Sequence, residues 1–146
     1  MTGPIAVTRP PLRVSDDYPE RNKALVIEAM TSLFQRRDAS AVERFYAPNY
    51  VQHNPNIAQG RDTLRSIVAG LSEDVYYEPG LIVAEGNHVA IHGRIRGWAS
   101  VPQVVVDLFR VENGLLAEHW DVLQNEVAVT EALGSVPMFA SDEGVR

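Results

Sequence analysis

The hydrophobic periodicity of this chain changes once, near residue 75, and that change limits the fold more than any other feature. Before it, apolar residues recur at helical spacing; from Tyr76 onward they alternate with polar ones. The period-2 runs are Tyr76 to Ala84, His88 to Trp98, Gln103 to Val111 and Leu115 to about Glu126. Only Glu85-Gly86-Asn87, Ala99 to Pro102 and Glu112-Asn113-Gly114 separate them. A parallel crossover needs about a dozen residues or more, so strands this close in sequence form an antiparallel meander. Helices first and strands after make an α+β chain.

The helical half divides at its caps. Asp17, Pro19 and Glu20 read as a helix start, and Val26, Ile27, Met30, Leu33 and Phe34 then form one buried stripe. Asp38 caps a second, shorter helix through Phe45 and Tyr46, which stops before Pro48. Residues 48–55 read as a loop. A third helix runs from about Asp62 to Ser72, with Leu64, Ile67, Val68 and Leu71 on one side. Residues 1–16, with Pro4, Pro10 and Pro11, read as a flexible N-terminal arm, 17–134 as a single domain, and 135–146 as an irregular tail.

Composition excludes several functions. A chain of 146 residues suits one core. It has no cysteine, hence no disulfide, thiolate nucleophile or Cys-ligated metal. With a formal charge of −6 and no basic cluster, phosphate-driven nucleic-acid binding is not expected. No apolar run is long enough to span a membrane and no signal peptide is visible, so a cytoplasmic location is expected.

The last strand carries the candidate chemistry. Alternation sends His119 and Asp121 to one face, together with Leu115, Ala117 and Leu123. An imidazole and a carboxylate on an otherwise apolar face are costly to bury without a partner, and are what acid/base catalysis requires. A three-residue turn with Gly114 in a left-handed bulge would pair Val111 with Leu115 and Asp107 with His119. A two-residue Asn113-Gly114 turn would instead set Asp107 opposite Trp120. The first register is adopted. Continued across the loop Ala99 to Pro102, it pairs Trp98 with Gln103 and Arg94 with Asp107. His92, Arg94, Asp107, His119 and Asp121 would then share one face. No tight metal-ligand motif occurs, and none is expected to bind.

Three blocks resemble the SnoaL-like polyketide cyclases of the nuclear-transport-factor-2-like superfamily. They are Tyr50-Val51-Gln52-His53-Asn54-Pro55, His88-Val89-Ala90-Ile91-His92, and the run from Val106 through Asp107-Leu108-Phe109-Arg110 to Trp120-Asp121-Val122. The resemblance spans about residues 18 to 130. It implies a cone-shaped fold, with a curved, mainly antiparallel sheet around a long helix enclosing a pocket, and a homodimer. It also implies cofactor-free acid/base chemistry, with Asp121 matching the acid/base aspartate, His119 the strand histidine beside it, and His53 and His92 pocket-side histidines. The arginines of Gly93-Arg94-Ile95-Arg96-Gly97 would suit an anionic or enolate-bearing ligand. The expectation is proton transfer on a small apolar or aromatic carbonyl compound, with Trp98, Phe109 and Tyr50 as flat walls. The alternatives are a non-catalytic binding module and an epoxide hydrolase or isomerase using Asp107, Arg94 and Asp121 around a water.

Overall fold

The structure, a computed structural model, describes residues 16–140. Its elements are α1 (Pro19–Phe34), α2 (Ala41–Phe45), β1 (Tyr46–Gln52), α3 (Arg61–Ala69), β2 (Tyr76–Glu85), β3 (His88–Arg96), β4 (Gln103–Glu112) and β5 (Leu115–Asn125). The strands form one mixed, open sheet in the order β1-β5-β4-β3-β2. β2 to β5 are the expected antiparallel meander, and β1 joins β5 in parallel. Three helices on a five-stranded sheet make the chain α+β. No helix among the described residues is long and apolar enough to cross a membrane.

α1 begins at Pro19 with Tyr18, not Asp17, at the cap position. Its stripe Val26, Ala29, Met30, Leu33 and Phe34 is buried on the inner face of the sheet, chiefly against β2. Before α2, the Asp38 carboxylate accepts the Ser40 N–H at 3.0 Å and tightens the turn. β1 occupies much of the stretch expected to be a loop. Pro48 argued against a strand because it lacks an N–H, but an edge strand leaves one side unpaired, and the register shifts between Tyr46 and Val51. Tyr77, Phe109, Leu33, Ile91 and Leu116 are the largest fully buried side chains. Gly93 is required where it is: a Cβ there would lie 2.5 Å from the Tyr77 hydroxyl oxygen and 2.6 Å from its ring.

The β4–β5 hairpin differs from the expected three-residue turn. Glu112 pairs with Leu115 across Asn113 (φ 53°) and Gly114 (φ 72°), a two-residue turn with both central residues left-handed. Alone, that would set Asp107 opposite Trp120. A bulge follows, however: Arg110 pairs with Glu118 while Val111 pairs with Leu116, so Ala117 is the extra residue and both it and Leu116 are buried. The shift puts Asp107 opposite Asp121 and Phe109 opposite His119. Asp107, Phe109, His119 and Asp121 therefore share the inner face, and Leu115 does not.

The expected β3–β4 register is overturned. Ile95, not Trp98, pairs with Gln103, and Ile91, not Arg94, pairs with Asp107. The displacement is three residues, an odd number, so His92 and Arg94 move to the outer face. The two ends of the chain are only partly described. Residues 1–15 of the expected arm and 141–146 of the expected tail lie outside the described residues. The Asp16 carboxylate accepts the backbone N–H groups of Asn113 and Gly114 at 3.0 and 3.1 Å, fastening the hairpin turn. Phe139 is buried on the outer sheet face, its ring 5.9 Å from that of His92 and beneath the Arg94 guanidinium.

Candidate functional site

Between the helices and the inner sheet face lies an open cavity of about 550 Å³, counted out to its mouth. Met30, Phe34, Ile57, Leu64, Ile95 and Trp98 are among its apolar walls. Its polar groups are Gln52, Asn54, Asp107, His119 and Asp121, with Tyr46 and Tyr77. No lysine or arginine is among the lining residues.

The polar groups form a continuous chain. His119 Nε2 lies 2.7 Å from Asp107 Oδ1 and 4.0 Å from Asp121 Oδ2, and its Nδ1 lies 2.8 Å from Gln52 Oε1. Asn54 Nδ2 donates to both Asp121 oxygens, at 3.0 and 2.9 Å, while Asn54 Oδ1 accepts the Asn56 N–H at 2.8 Å. That last contact fixes the amide orientation, because a backbone N–H can only donate. Asp121 is thus held but not buried, and is the carboxylate nearest the open space. Asp107 is 3% exposed, and its Oδ2 has no hydrogen-bond partner among the described residues. Burial pushes its carboxyl above the ordinary carboxylate range; the His119 hydrogen bond opposes this and the Asp121 charge adds to it. Burial likewise raises the Tyr46 and Tyr77 hydroxyls, with the Asp107 charge contributing to both.

Asp107, His119 and Asp121 each offer a ligand atom within 4.8 Å of the others, a spacing that could enclose a metal ion. The 2.7 Å contact between Nε2 and Oδ1 is instead the length of a charge-assisted hydrogen bond, so the donor set fits a shared proton better than an ion.

The sequence candidates separate into two groups. Asp107, His119, Asp121 and Trp98 meet at the cavity, and Phe109 lies just beneath it, its ring 4.7 Å from His119. Tyr50 is buried behind the wall, edge-on to Tyr46 at 5.2 Å. His53, His92 and Arg94 do not face the cavity. His53 stacks on Trp120 at 4.8 Å and 3°, with Nε2 2.7 Å from Glu118 Oε2. Arg94 is bound to Glu126, through Nε at 2.9 Å, and to Glu78. The Asp107–Arg94–Asp121 arrangement of the epoxide alternative is therefore not formed, and among the described residues no arginine lines the cavity to attract an anion.

Gln52 and Asn54 were missed. They flank His53, so strand-like alternation at the end of β1 sends both inward as it sends His53 out. Reading residues 48–55 as a loop concealed that signal.

Residues 27–119 match the SnoaL-like domain. Among solved structures, the fold is similar to TsrD from Streptomyces laurentii, at 21% identity and TM-score 0.61, covering 72% of this chain and 89% of that one. It is also similar to a candidate ketosteroid isomerase from Kribbella flavida, at 16% identity and TM-score 0.65, covering 90% and 97%. An LEH-like epoxide hydrolase from M. tuberculosis matches at 19% identity and TM-score 0.59, covering 73% and 84%. At these identities the likeness speaks for the fold. No curated protein is significantly similar in sequence.

Proposed function

This chain belongs to the SnoaL-like domain family, and from that premise we propose that it is a cofactor-free acid/base enzyme of the polyketide-cyclase type. Its substrate class is a small, neutral, apolar or aromatic carbonyl compound, and its reaction an aldol condensation, cyclisation or isomerisation. One observation carries this reading: an ionisable cluster stands at the polar end of an otherwise apolar, open cavity with no lysine or arginine among its described lining residues.

Asp121 is the base. It takes a proton from the carbon next to the carbonyl, leaving an enolate, and returns it to the oxygen or carbon that becomes basic after bond formation or double-bond migration. His119 is the imidazole nearest that base, and the proton its Nε2 shares with Asp107 turns toward the substrate oxygen as negative charge develops there. Trp98 and Phe34, edge-on at 6.2 Å, give a flat ligand its wall.

The test is α-hydrogen exchange. Incubated in D2O with a panel of neutral aryl ketones, the protein is expected to catalyse deuteration at the α-carbon, followed by proton NMR, while the ligands quench Trp98 fluorescence. Quenching without exchange across the panel would reassign the cavity to a non-catalytic binding module.

The reading includes a cytoplasmic location and an isologous homodimer through the outer sheet face. There Val83, Ala90, Leu108 and Trp120 form a cross-strand row, with Val122 (72% exposed) beside it. An apolar patch this continuous is seldom left to solvent. Sedimentation at micromolar concentration is expected to give the dimer mass, and a monomer would remove this part of the reading.

A further inference from the structure

Gln52 is a polar side chain at the cavity that the proton-transfer reading leaves without a role. It is also the most thoroughly fastened. Gln59 clamps its main chain in both directions: Gln59 Oε1 accepts the Gln52 N–H at 2.8 Å and Gln59 Nε2 donates to the Gln52 carbonyl at 2.6 Å. The side chain is tied as well. Its Oε1 accepts the Asn54 backbone N–H at 3.0 Å. A backbone N–H cannot accept, so the atom facing it is the carboxamide oxygen and not the nitrogen. The same oxygen lies 2.8 Å from His119 Nδ1. Two acceptors would not sit at that distance, so Nδ1 carries the proton.

We propose that Gln52 is a positioning residue for His119: its carboxamide oxygen, locked by the Asn54 N–H, holds the Nδ1 proton and thereby presents Nε2 to Asp107 and Asp121 as the nitrogen that exchanges a proton. The 2.7 Å contact between Nε2 and Asp107 Oδ1 then contains one proton, shared by a pair whose other ring nitrogen is already committed. The groups facing this pair are Asp121, Tyr46 and Tyr77. None of these reaches Nδ1 through a hydrogen bond, so among the described residues Gln52 is the partner that holds the Nδ1 proton, while Asp107 meets the other ring nitrogen. The tautomer assignment rests on geometry. Its consequence for catalysis rests on the reading of the cavity as a proton-transfer site.

The experiment is imidazole nitrogen-15 NMR on the whole protein without substrate, which makes it independent of any turnover. The four histidines are distinguished by the signal lost in His119→Asn. In the wild type, His119 Nδ1 is expected to resonate in the protonated range at neutral pH, with a persistent N–H correlation. Gln52→Leu is expected to lose that correlation, and Gln52→Glu, which keeps an oxygen acceptor, to retain it. A merely structural glutamine would lower the melting temperature of the leucine variant without moving the tautomer. An unprotonated Nδ1 in the wild type overturns the proposal whatever the variants do. So does a folded Gln52→Leu that keeps the Nδ1 proton. Should the leucine variant fail to fold, the wild-type and Gln52→Glu spectra decide. Absence of α-exchange alongside the expected spectra would remove the proposed function and leave this assignment standing.

Discussion

Replacing Asp121 by asparagine is expected to preserve the fold and to slow α-hydrogen exchange at a bound ketone by about two to four orders of magnitude, the contribution of a positioned general base. The substitution is nearly isosteric, and the geometry around it limits the structural cost. Asn54 donates to both Asp121 oxygens. In the variant one of those positions becomes an amide nitrogen, which cannot accept. The new side chain must turn its oxygen toward Asn54 and its nitrogen toward the cavity, losing about one hydrogen bond, or roughly 0.5–1.5 kcal/mol. A small fall in melting temperature with a large fall in exchange, measured on one sample, is the expected pattern. Wild-type exchange in the variant would remove Asp121 from the chemistry and leave His119 as the candidate base.

The largest stability effect is expected at Phe109. Its side chain is 1% exposed, stands opposite His119 across the β4–β5 ladder, and meets the imidazole at 4.7 Å with a 36° tilt. Phe109→Ala removes a buried ring from the middle of a sheet that cannot collapse into the space, which costs about 3–5 kcal/mol. For a domain of this size that lowers the melting temperature by roughly 10–20 °C. Val136→Ala, in the C-terminal segment at 67% exposure and away from the outer-face apolar row, is the control and should move it by only a degree or two. A loss below about 1 kcal/mol in Phe109→Ala would mean that the ring is not the support beneath His119 that the packing implies.

What could be read from the chain depended on the range over which each physical rule acts. The helical stripe through Val26, Met30 and Leu33 and the alternation through β2 to β5 are set by neighbours a few residues apart. Element type was legible for that reason, as was the meander, which needs only turns too short for a crossover. The common face of His119 and Asp121 has the same local origin: they are two apart on one strand. β1 was less legible because its proline carried a strong local signal against a strand, while the edge position that tolerates the proline is a property of the whole sheet.

Relations between strands were decided only by tertiary structure. Parity along a strand is conserved until a residue is inserted, and a single insertion reverses every side chain beyond it. In the β4–β5 hairpin two such reversals cancel: the two-residue turn at Asn113-Gly114 sets one parity and the bulge at Ala117 restores the other, so Asp107 reaches His119 by a route different from the expected turn. Between β3 and β4 nothing cancels, and His92 and Arg94 are carried to the outer face, where Phe139 and Glu126 meet them. The chain by itself therefore determined which residues alternate and where α1 and the strands β2 to β5 lie. The fold decided which alternations coincide, because register is chosen by the total burial and hydrogen bonding of two strands at once, and no single segment contains that sum.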